Sequence, residues 1–128
     1  MSYLLDTHTY LWWDSKSSEL SRPVRDILMD VEQTVYVSLA TIWEIQIKSQ
    51  IGKLHLPAPL LEIIERQEAE NGIHVLPVQV PHVLAVYNLP MHHRDPFDRI
   101  LIAQTMIENM TLLSKDRQFA IYNVQVFW

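Results

Sequence analysis

Residues 3–13 read Tyr-Leu-Leu-Asp-Thr-His-Thr-Tyr-Leu-Trp-Trp, an apolar run that ends at Asp6 and leads into a segment suited to a helix. The run Tyr3–Leu5 predicts a strand, and residues 7–13 predict a short helix. In an open parallel sheet, ligands bind beyond the carboxyl ends of the strands. If this strand belongs to such a sheet, Asp6 is expected where a ligand would bind.

The same alternation of strand and helix continues along the chain. A second helix is predicted from Ser21 and Pro23, with apolar positions that extend to Val31. Further strands are predicted at 35–37, 73–76, 111–113 and 124–127, and further helices at 38–51, 60–71, 81–87 and 95–109. Short apolar strands separated by helices indicate a parallel sheet covered on both faces. We therefore predict an α/β fold, a Rossmann-type three-layer sandwich.

Length and composition restrict the class of protein. With 128 residues, 48% of them hydrophobic and 20% charged, the chain is expected to form one soluble domain spanning residues 1–128. No cysteine is present, which excludes a disulfide scaffold, a zinc ribbon and a thiol nucleophile, and which suits the cytoplasm. No apolar run is long enough to span a bilayer, so no membrane association is expected.

Charge and glycine content narrow the possible functions. The net charge of −5 argues against a broad nucleic-acid-coating surface but leaves room for a local basic rim. The two glycines stand twenty residues apart and complete neither a dinucleotide-binding loop nor a phosphate loop.

Four carboxylates lie shortly after predicted strands or in the first two turns of predicted helices: Asp6, Glu44, Asp98 and Asp116. The topology brings these positions to one edge of the sheet, although close carboxylates repel one another. A hard divalent cation explains such a cluster, because Mg²⁺ and Mn²⁺ prefer oxygen ligands. A site of this kind is typical of metal-assisted phosphodiester hydrolysis.

Each carboxylate also has a purely structural interpretation, so the metal hypothesis rests on the four together. Asp6 can cap the following helix, and Asp95 is expected mainly to cap the helix that begins at Pro96. Asp98 can favour the dipole of that helix. Glu44 can pair with Lys48 four residues later, and Asp116 can be a solvated loop acid.

Polar and basic neighbours of these carboxylates are candidates for supporting roles. Thr7 can orient a metal-bound water or bond to local backbone. Five basic residues lie within four positions of a candidate carboxylate and are candidate RNA contacts or simple charge balance: Lys48, Arg94, Arg99, Lys115 and Arg117. His92 and His93 are weak candidates for substrate contacts, because exposed loop histidines usually have no functional role.

At these residues the sequence resembles the PIN-domain family, and within it the VapC-type toxins of bacterial toxin–antitoxin pairs. The matching segments span nearly the whole chain and include Leu4-Leu5-Asp6-Thr7-His8, Trp43-Glu44-Ile45, Asp95-Pro96-Phe97-Asp98-Arg99 and Ser114-Lys115-Asp116. Their order and spacing are far more specific than any one of them alone.

The resemblance implies a Mg²⁺- or Mn²⁺-dependent endoribonuclease whose acidic site is Asp6, Glu44, Asp98 and Asp116, with Asp95 as an ambiguous fifth member. It also implies a homodimer and an inhibiting antitoxin. We expect an antitoxin segment to occupy an apolar groove near Trp12 and Trp13 and to bring an Arg or Lys to the acidic site.

Two other functions remain open at this point. Aspartyl-phosphate chemistry would use an aspartate nucleophile after the first strand, but it requires a second aspartate at position 8, which is His8. A non-catalytic binding module would keep the fold and lose the ions.

Overall fold

The computed structural model describes all residues from Met1 to Trp128. Its strands are β1 (Ser2–Leu5), β2 (Thr34–Ser38), β3 (Ile73–Leu76), β4 (Thr111–Leu113) and β5 (Gln125–Phe127). Its α-helices are α1 (Thr7–Ser15), α2 (Arg22–Met29), α3 (Leu39–Gln50), α4 (Leu60–Asn71), α5 (Val80–Val86) and α6 (Pro96–Ile107). A 3-10 helix covers Arg117–Ile121, between β4 and β5.

The five strands form one parallel sheet in the order β3-β2-β1-β4-β5. From β1 the chain first builds outward through β2 and β3, and it later returns to the other side of β1 to add β4 and β5. The strand order therefore reverses between β1 and β4, and their carboxyl ends are where a sheet of this class binds ligands. Asp6 and Ser114 directly follow these two strands.

Each face of the sheet is covered by its own apolar core. On one face, Leu5 packs in a cluster of 12 buried residues that includes Tyr10 of α1, Val24 of α2 and Ile45 of α3. On the opposite face, a cluster of 7 buried residues joins strands to α6 and the 3-10 helix, and its members are Leu4, Leu76, Leu101, Ile102, Leu112, Phe119 and Tyr122. The predicted α/β sandwich with helices on both faces is confirmed.

The predicted helix starts are confirmed at the level of individual hydrogen bonds. The side chains of Ser21, Ser38 and Asp95 each accept a backbone N–H in the first turn of α2, α3 and α6. These bonds satisfy backbone donors that have no partner inside a helix. Asn109, after α6, has a φ of 53°, the left-handed conformation expected from its place at a helix end.

One sequence prediction about local structure is wrong, and one element was not predicted. Val31 lies beyond the end of α2 and is 93% exposed, because the chain leaves the helix at Asp30 to reach β2. The 3-10 helix at Arg117–Ile121 was not predicted, since five residues with one buried side chain, Phe119, carry too weak a periodic signal. In addition, no helix is both long enough and apolar enough to cross a membrane.

Candidate active site at the edge of the sheet

Asp6 lies at the point where the strand order reverses, and the fold holds its carboxylate firmly. Its Oδ1 atom accepts the backbone N–H of Thr9 at 2.9 Å and the Thr9 hydroxyl at 2.6 Å, while Oδ2 accepts the Ser114 hydroxyl at 2.5 Å. Burial raises the pKa of Asp6, although the hydrogen bonds from Ser114 and Thr9 oppose that shift. Asp6 therefore caps α1, as its structural interpretation predicts, and also joins β1 to β4 across the site.

Glu44 is buried on α3, and both of its oxygens have partners. The hydroxyl of Thr7 donates to Oε1 at 2.5 Å, and the Lys48 ammonium donates to Oε2 at 2.7 Å. The hydrogen bond to Glu44 raises the pKa of Lys48. The predicted Glu44–Lys48 pair is thus present, and Thr7 orients a carboxylate rather than only bonding to nearby backbone.

Asp98 shows most clearly that the acids converge. Burial, followed by the charges of four carboxylates, raises the pKa of Asp98 to about 7; in decreasing order of effect these are Asp95, Glu44, Asp6 and Asp116. The other three acids predicted from the sequence, and the ambiguous fifth, Asp95, therefore all lie within electrostatic range of Asp98. A stabilising role at the amino terminus of α6 alone does not explain this crowding.

Asp116 stands at the outer side of the cluster. Its side chain is 44% exposed, and its Oδ1 atom accepts the backbone N–H of Gln118 at 2.9 Å. Its own backbone N–H donates to the Ser114 hydroxyl oxygen at 3.0 Å, and Ser114 in turn donates to Asp6. The positions of Asp116 and Asp6 are therefore linked through one buried serine.

Asp95 is confirmed as a helix cap, since its Oδ1 atom accepts the N–H of Phe97 at 2.9 Å. The interaction accounts for one oxygen, and the carboxylate is partly exposed beside Asp98. The geometry thus supports capping as its main role, and among the surrounding carboxylates its charge has the largest effect on Asp98.

Arg99 corrects one sequence prediction about the basic residues. This side chain is buried, and its guanidinium donates to four backbone carbonyls, those of Val86, Leu89, Pro90 and His93, at 2.9–3.3 Å. Five donors on a rigid plane suit such a role. Arg99 therefore fixes the segment between α5 and α6 and is not available to contact RNA.

The remaining basic candidates lie at the surface of the protein. Lys48 pairs with Glu44, and Lys115 donates to Glu19 at 2.9 Å and lies 5.8 Å from the centre of the Trp12 ring. Arg94 directly precedes Asp95 and Arg117 directly follows Asp116, and both side chains are exposed. These four residues stay candidates for phosphate contacts.

The donor set fits a hydrated divalent cation better than a tightly enclosed one. All four predicted ligands supply carboxylate oxygens, but no group of three or more acidic or histidine side chains is arranged to hold an ion. Mg²⁺ commonly keeps several waters and takes only one or two protein carboxylates. Asp6 and Asp98 are the acids that fit best, because Glu44 is already paired with the Lys48 ammonium, whereas Asp6 accepts only from neutral hydroxyl and backbone groups.

Trp12 and Trp13 reach different surfaces, and only Trp12 lies beside the acidic cluster. Trp12 lines a cleft of about 620 Å³ together with Thr7 and Lys48, beside the acidic cluster. Trp13 lines different depressions, one of them with Leu28 and Val35. Adjacent residues on α1 point in directions about 100° apart, so the two rings reach different surfaces.

Sequence reasoning missed three residues that shape the site. Thr9 and Ser114 provide the hydroxyls that hold Asp6, and His93 is buried with its Nε2 atom 3.5 Å from Oδ2 of Asp116. Ser114 directly follows β4, so its position was a usable signal. Nothing in the local sequence distinguishes His93 from the exposed His92.

Comparison with known proteins identifies the family of the chain. The PIN domain family model matches residues 3–124, and the chain therefore belongs to the PIN-domain family. No curated protein matches the sequence.

Several solved structures share the fold at low sequence identity. VapBC2 from Rickettsia felis, bound to a DNA fragment from its promoter, has a TM-score of 0.73 at 15% identity, with 99% of this chain and 98% of that chain covered. FitAcB from Neisseria gonorrhoeae has a TM-score of 0.65 at 18% identity, with coverage of 98% and 96%. A toxin–antitoxin complex from Klebsiella pneumoniae has a TM-score of 0.64 at 13% identity, with coverage of 98% and 96%. These neighbours share the fold of this chain, in line with its membership of the PIN-domain family.

Proposed function

We propose that this protein is a Mg²⁺- or Mn²⁺-dependent endoribonuclease that acts as the toxin of a toxin–antitoxin pair. The main support for this proposal is the environment of Asp98 at the carboxyl edge of the sheet. Burial and four surrounding carboxylates raise the pKa of Asp98 to about 7. A cluster that opposes its own ionisation is expected where a cation binds. Asp6 and Asp116 come after β1 and β4, at whose carboxyl ends sheets of this class bind ligands.

The residues of the chain have distinct tasks in this mechanism. A divalent cation, when bound, activates water for attack on phosphorus and neutralises the charge that develops on the phosphate. Asp6 and Asp98 would hold it, with Asp116 at the outer side. Ser114 and Thr9 keep the Asp6 carboxylate in one orientation, and the Thr7 hydroxyl does the same for Glu44.

Aspartyl-phosphate chemistry is disfavoured by the surroundings of Asp6. Both carboxylate oxygens accept hydrogen bonds, two at Oδ1 from Thr9 and one at Oδ2 from Ser114. An oxygen used in this way is a weaker nucleophile than a free one, and position 8 is His8 rather than the second aspartate that this chemistry requires. The structure gives no observation in favour of this alternative.

The first prediction tests metal dependence. Purified protein is expected to cleave single-stranded RNA with Mg²⁺ or Mn²⁺ and to lose that activity in excess EDTA, because the acids cannot neutralise a phosphate by themselves. Activity should return when Mn²⁺ is added beyond the chelator. Full cleavage in EDTA would contradict the mechanism, whereas Mn²⁺ binding without cleavage would identify a non-catalytic module.

An antitoxin is proposed as the physiological inhibitor. The cleft beside the site is lined by Thr7, Trp12 and Lys48 and opens next to Glu44. A segment lying in this cleft would bring an Arg or Lys within reach of the acids and compete with the cation. The structural neighbours are themselves toxin–antitoxin complexes, which supports the proposal.

A homodimer is proposed through an apolar surface formed by α3, α5 and α6. Leu39, Trp43, Val83 and Phe97 line a depression of about 660 Å³ on this surface, and the Trp43 ring is 62% exposed. Exposed apolar surface of this kind marks interaction sites. Since the family resemblance implies a dimer, we assign the surface to a second copy of the chain.

The second prediction tests this surface. Trp43→Glu is expected to convert the dimer to a monomer, because it places a charge in an apolar interface. Sedimentation velocity measures the change. Leu61→Glu on α4 is the matched control, since Leu61 is 66% exposed and does not line the depression. A dimer that tolerates Trp43→Glu would place the interface elsewhere.

A further inference from the structure

His93 is held in a fixed orientation directly behind the acidic cluster. Its side chain is 7% exposed, and its ring stacks on Phe119 with centroids 4.8 Å apart and an angle of 11° between the planes. The Tyr122 hydroxyl lies 2.9 Å from the His93 backbone nitrogen and 3.1 Å from Nδ1. These contacts leave the imidazole little freedom to rotate.

The hydrogen bonds of Tyr122 determine which ring nitrogen carries the proton. The phenol oxygen accepts the backbone N–H of His93, and its own proton needs an acceptor because Tyr122 is only 4% exposed. The acceptor within reach is Nδ1 of His93. A neutral imidazole that accepts at Nδ1 carries its hydrogen on Nε2.

That Nε2–H group faces the carboxylate of Asp116. Nε2 lies 3.5 Å from Oδ2 of Asp116, and this buried nitrogen has no hydrogen-bond partner elsewhere. The distance is long for a hydrogen bond, but such bonds often tighten only when a site is loaded. Asp116 is half-exposed and held on its other oxygen by Gln118, so a small rotation of the carboxylate closes the gap.

We propose that His93 is a positioning residue for Asp116, with Tyr122 selecting the tautomer that directs an N–H toward the Asp116 carboxylate. The inference rests on the proposed function, in which Asp116 helps to hold the cation. Acidic ligands are themselves commonly fixed by hydrogen bonds from neighbouring groups. The sequence shows two adjacent histidines, and the structure assigns this role to the buried one.

Nuclear magnetic resonance tests the tautomer without any reference to activity. In metal-free wild-type protein, ¹⁵N–¹H correlation through the imidazole is expected to show the His93 hydrogen on Nε2, with Nδ1 as the acceptor. Tyr122→Phe removes the hydroxyl and should lower the population of this tautomer. A wild-type ring protonated at Nδ1 would overturn the proposal.

Two substitutions separate positioning from packing. The Gln amide can place a donor near the Nε2 position, whereas the Asn amide mimics the Nδ1 side and cannot reach Asp116. His93→Asn is therefore expected to weaken Mn²⁺ binding about 10- to 100-fold, and His93→Gln is expected to retain more of the wild-type affinity. A purely structural role predicts no such order, because Asn keeps the contact with Tyr122 better than Gln does.

The Asp116→Asn background shows whether His93 acts through this carboxylate. Titration calorimetry with Mn²⁺ should find that His93→Asn causes no further loss of affinity once Asp116 is replaced. Equal Mn²⁺ affinities of wild type and His93→Asn, or full additivity in the double variant, would overturn the proposal. A wild-type protein that binds no Mn²⁺ would instead refute the proposed function.

Discussion

Asp98→Asn is expected to abolish RNA cleavage while leaving the metal-free protein at least as stable as the wild type. Asp98 is crowded by four carboxylates, so removing its charge relieves repulsion when no cation is present. Loss of activity should exceed about a hundredfold, the upper range for residues that only support a metal ligand. Urea unfolding in EDTA, together with an RNA cleavage assay, measures both effects.

The pH dependence of stability is an independent test of whether the charge of Asp98 destabilises the metal-free protein. The pKa of Asp98 is raised from 3.8 to about 7 in the folded protein, so the folded state binds more protons than the unfolded state between these values. The free energy of unfolding of metal-free protein should therefore fall as the pH rises through this window. Because Asp98 is partly exposed to solvent, the contribution is limited to about 1–2 kcal/mol. Asp98→Asn should remove this part of the pH dependence.

If Asp98→Asn instead makes the metal-free protein less stable, Asp98 serves only to stabilise the amino terminus of α6. A carboxylate that only favours the amino terminus of α6 contributes about 0.3–1 kcal/mol, which Asp98→Asn would remove with or without Mg²⁺. If Asp98 holds the cation, the free energy of unfolding of the wild type should rise by about 2.7 kcal/mol when free Mg²⁺ reaches a hundred times its dissociation constant. The free energy of unfolding of Asp98→Asn should rise much less at the same concentration. Asp26→Asn on α2, an exposed acid, is the matched control.

Arg99→Ala is expected to cause the largest loss of stability of any single change proposed for this protein. The substitution removes the guanidinium donor from four carbonyls of residues 86–93 and creates a cavity at a buried position. Hydrogen bonds to charged groups are worth about 1.5–3 kcal/mol each and do not add fully, so we expect a loss of about 3 kcal/mol or more. Urea unfolding provides the measurement.

A comparison of two replacements shows whether Arg99 stabilises the protein through its hydrogen bonds or only through its positive charge. Arg99→Lys keeps the positive charge but loses the planar arrangement of donors, so an intermediate loss is expected. Arg117→Ala removes an exposed charge and should change stability by no more than about 0.5 kcal/mol. If Arg99→Ala unfolds like Arg117→Ala and mainly weakens RNA binding, Arg99 is a surface contact after all.

The sequence allowed the sheet and the position of the acids to be predicted because both depend on local patterns. Tyr3–Leu5 followed by Asp6 indicates a strand with a polar end, and Asp95–Pro96 indicates the start of a helix. Parallel pairing then brings Asp6 and Asp116 to the same edge. These inferences need no knowledge of the side-chain packing.

Roles that depend on packing between distant segments were not accessible in this way. From the sequence alone, Arg99 is predicted to be a surface cation, because its contacts with the carbonyls of residues 86–93 are visible only in the structure. His92 and His93 are adjacent, yet only the second is buried, because Phe119 and Tyr122 enclose it from a segment more than twenty residues away. Trp12 and Trp13 diverge for a geometric reason that their adjacency in sequence conceals.

The proposed function requires that the acidic cluster of Asp6, Glu44, Asp98 and Asp116 binds a divalent cation. Titration calorimetry of Mn²⁺ into metal-free wild type, Asp98→Asn and the control Asp26→Asn tests it most directly. We predict saturable binding to the wild type and to Asp26→Asn, and a loss of at least tenfold in affinity for Asp98→Asn. Equal affinities in all three proteins, or no binding to a folded wild type, would contradict the account.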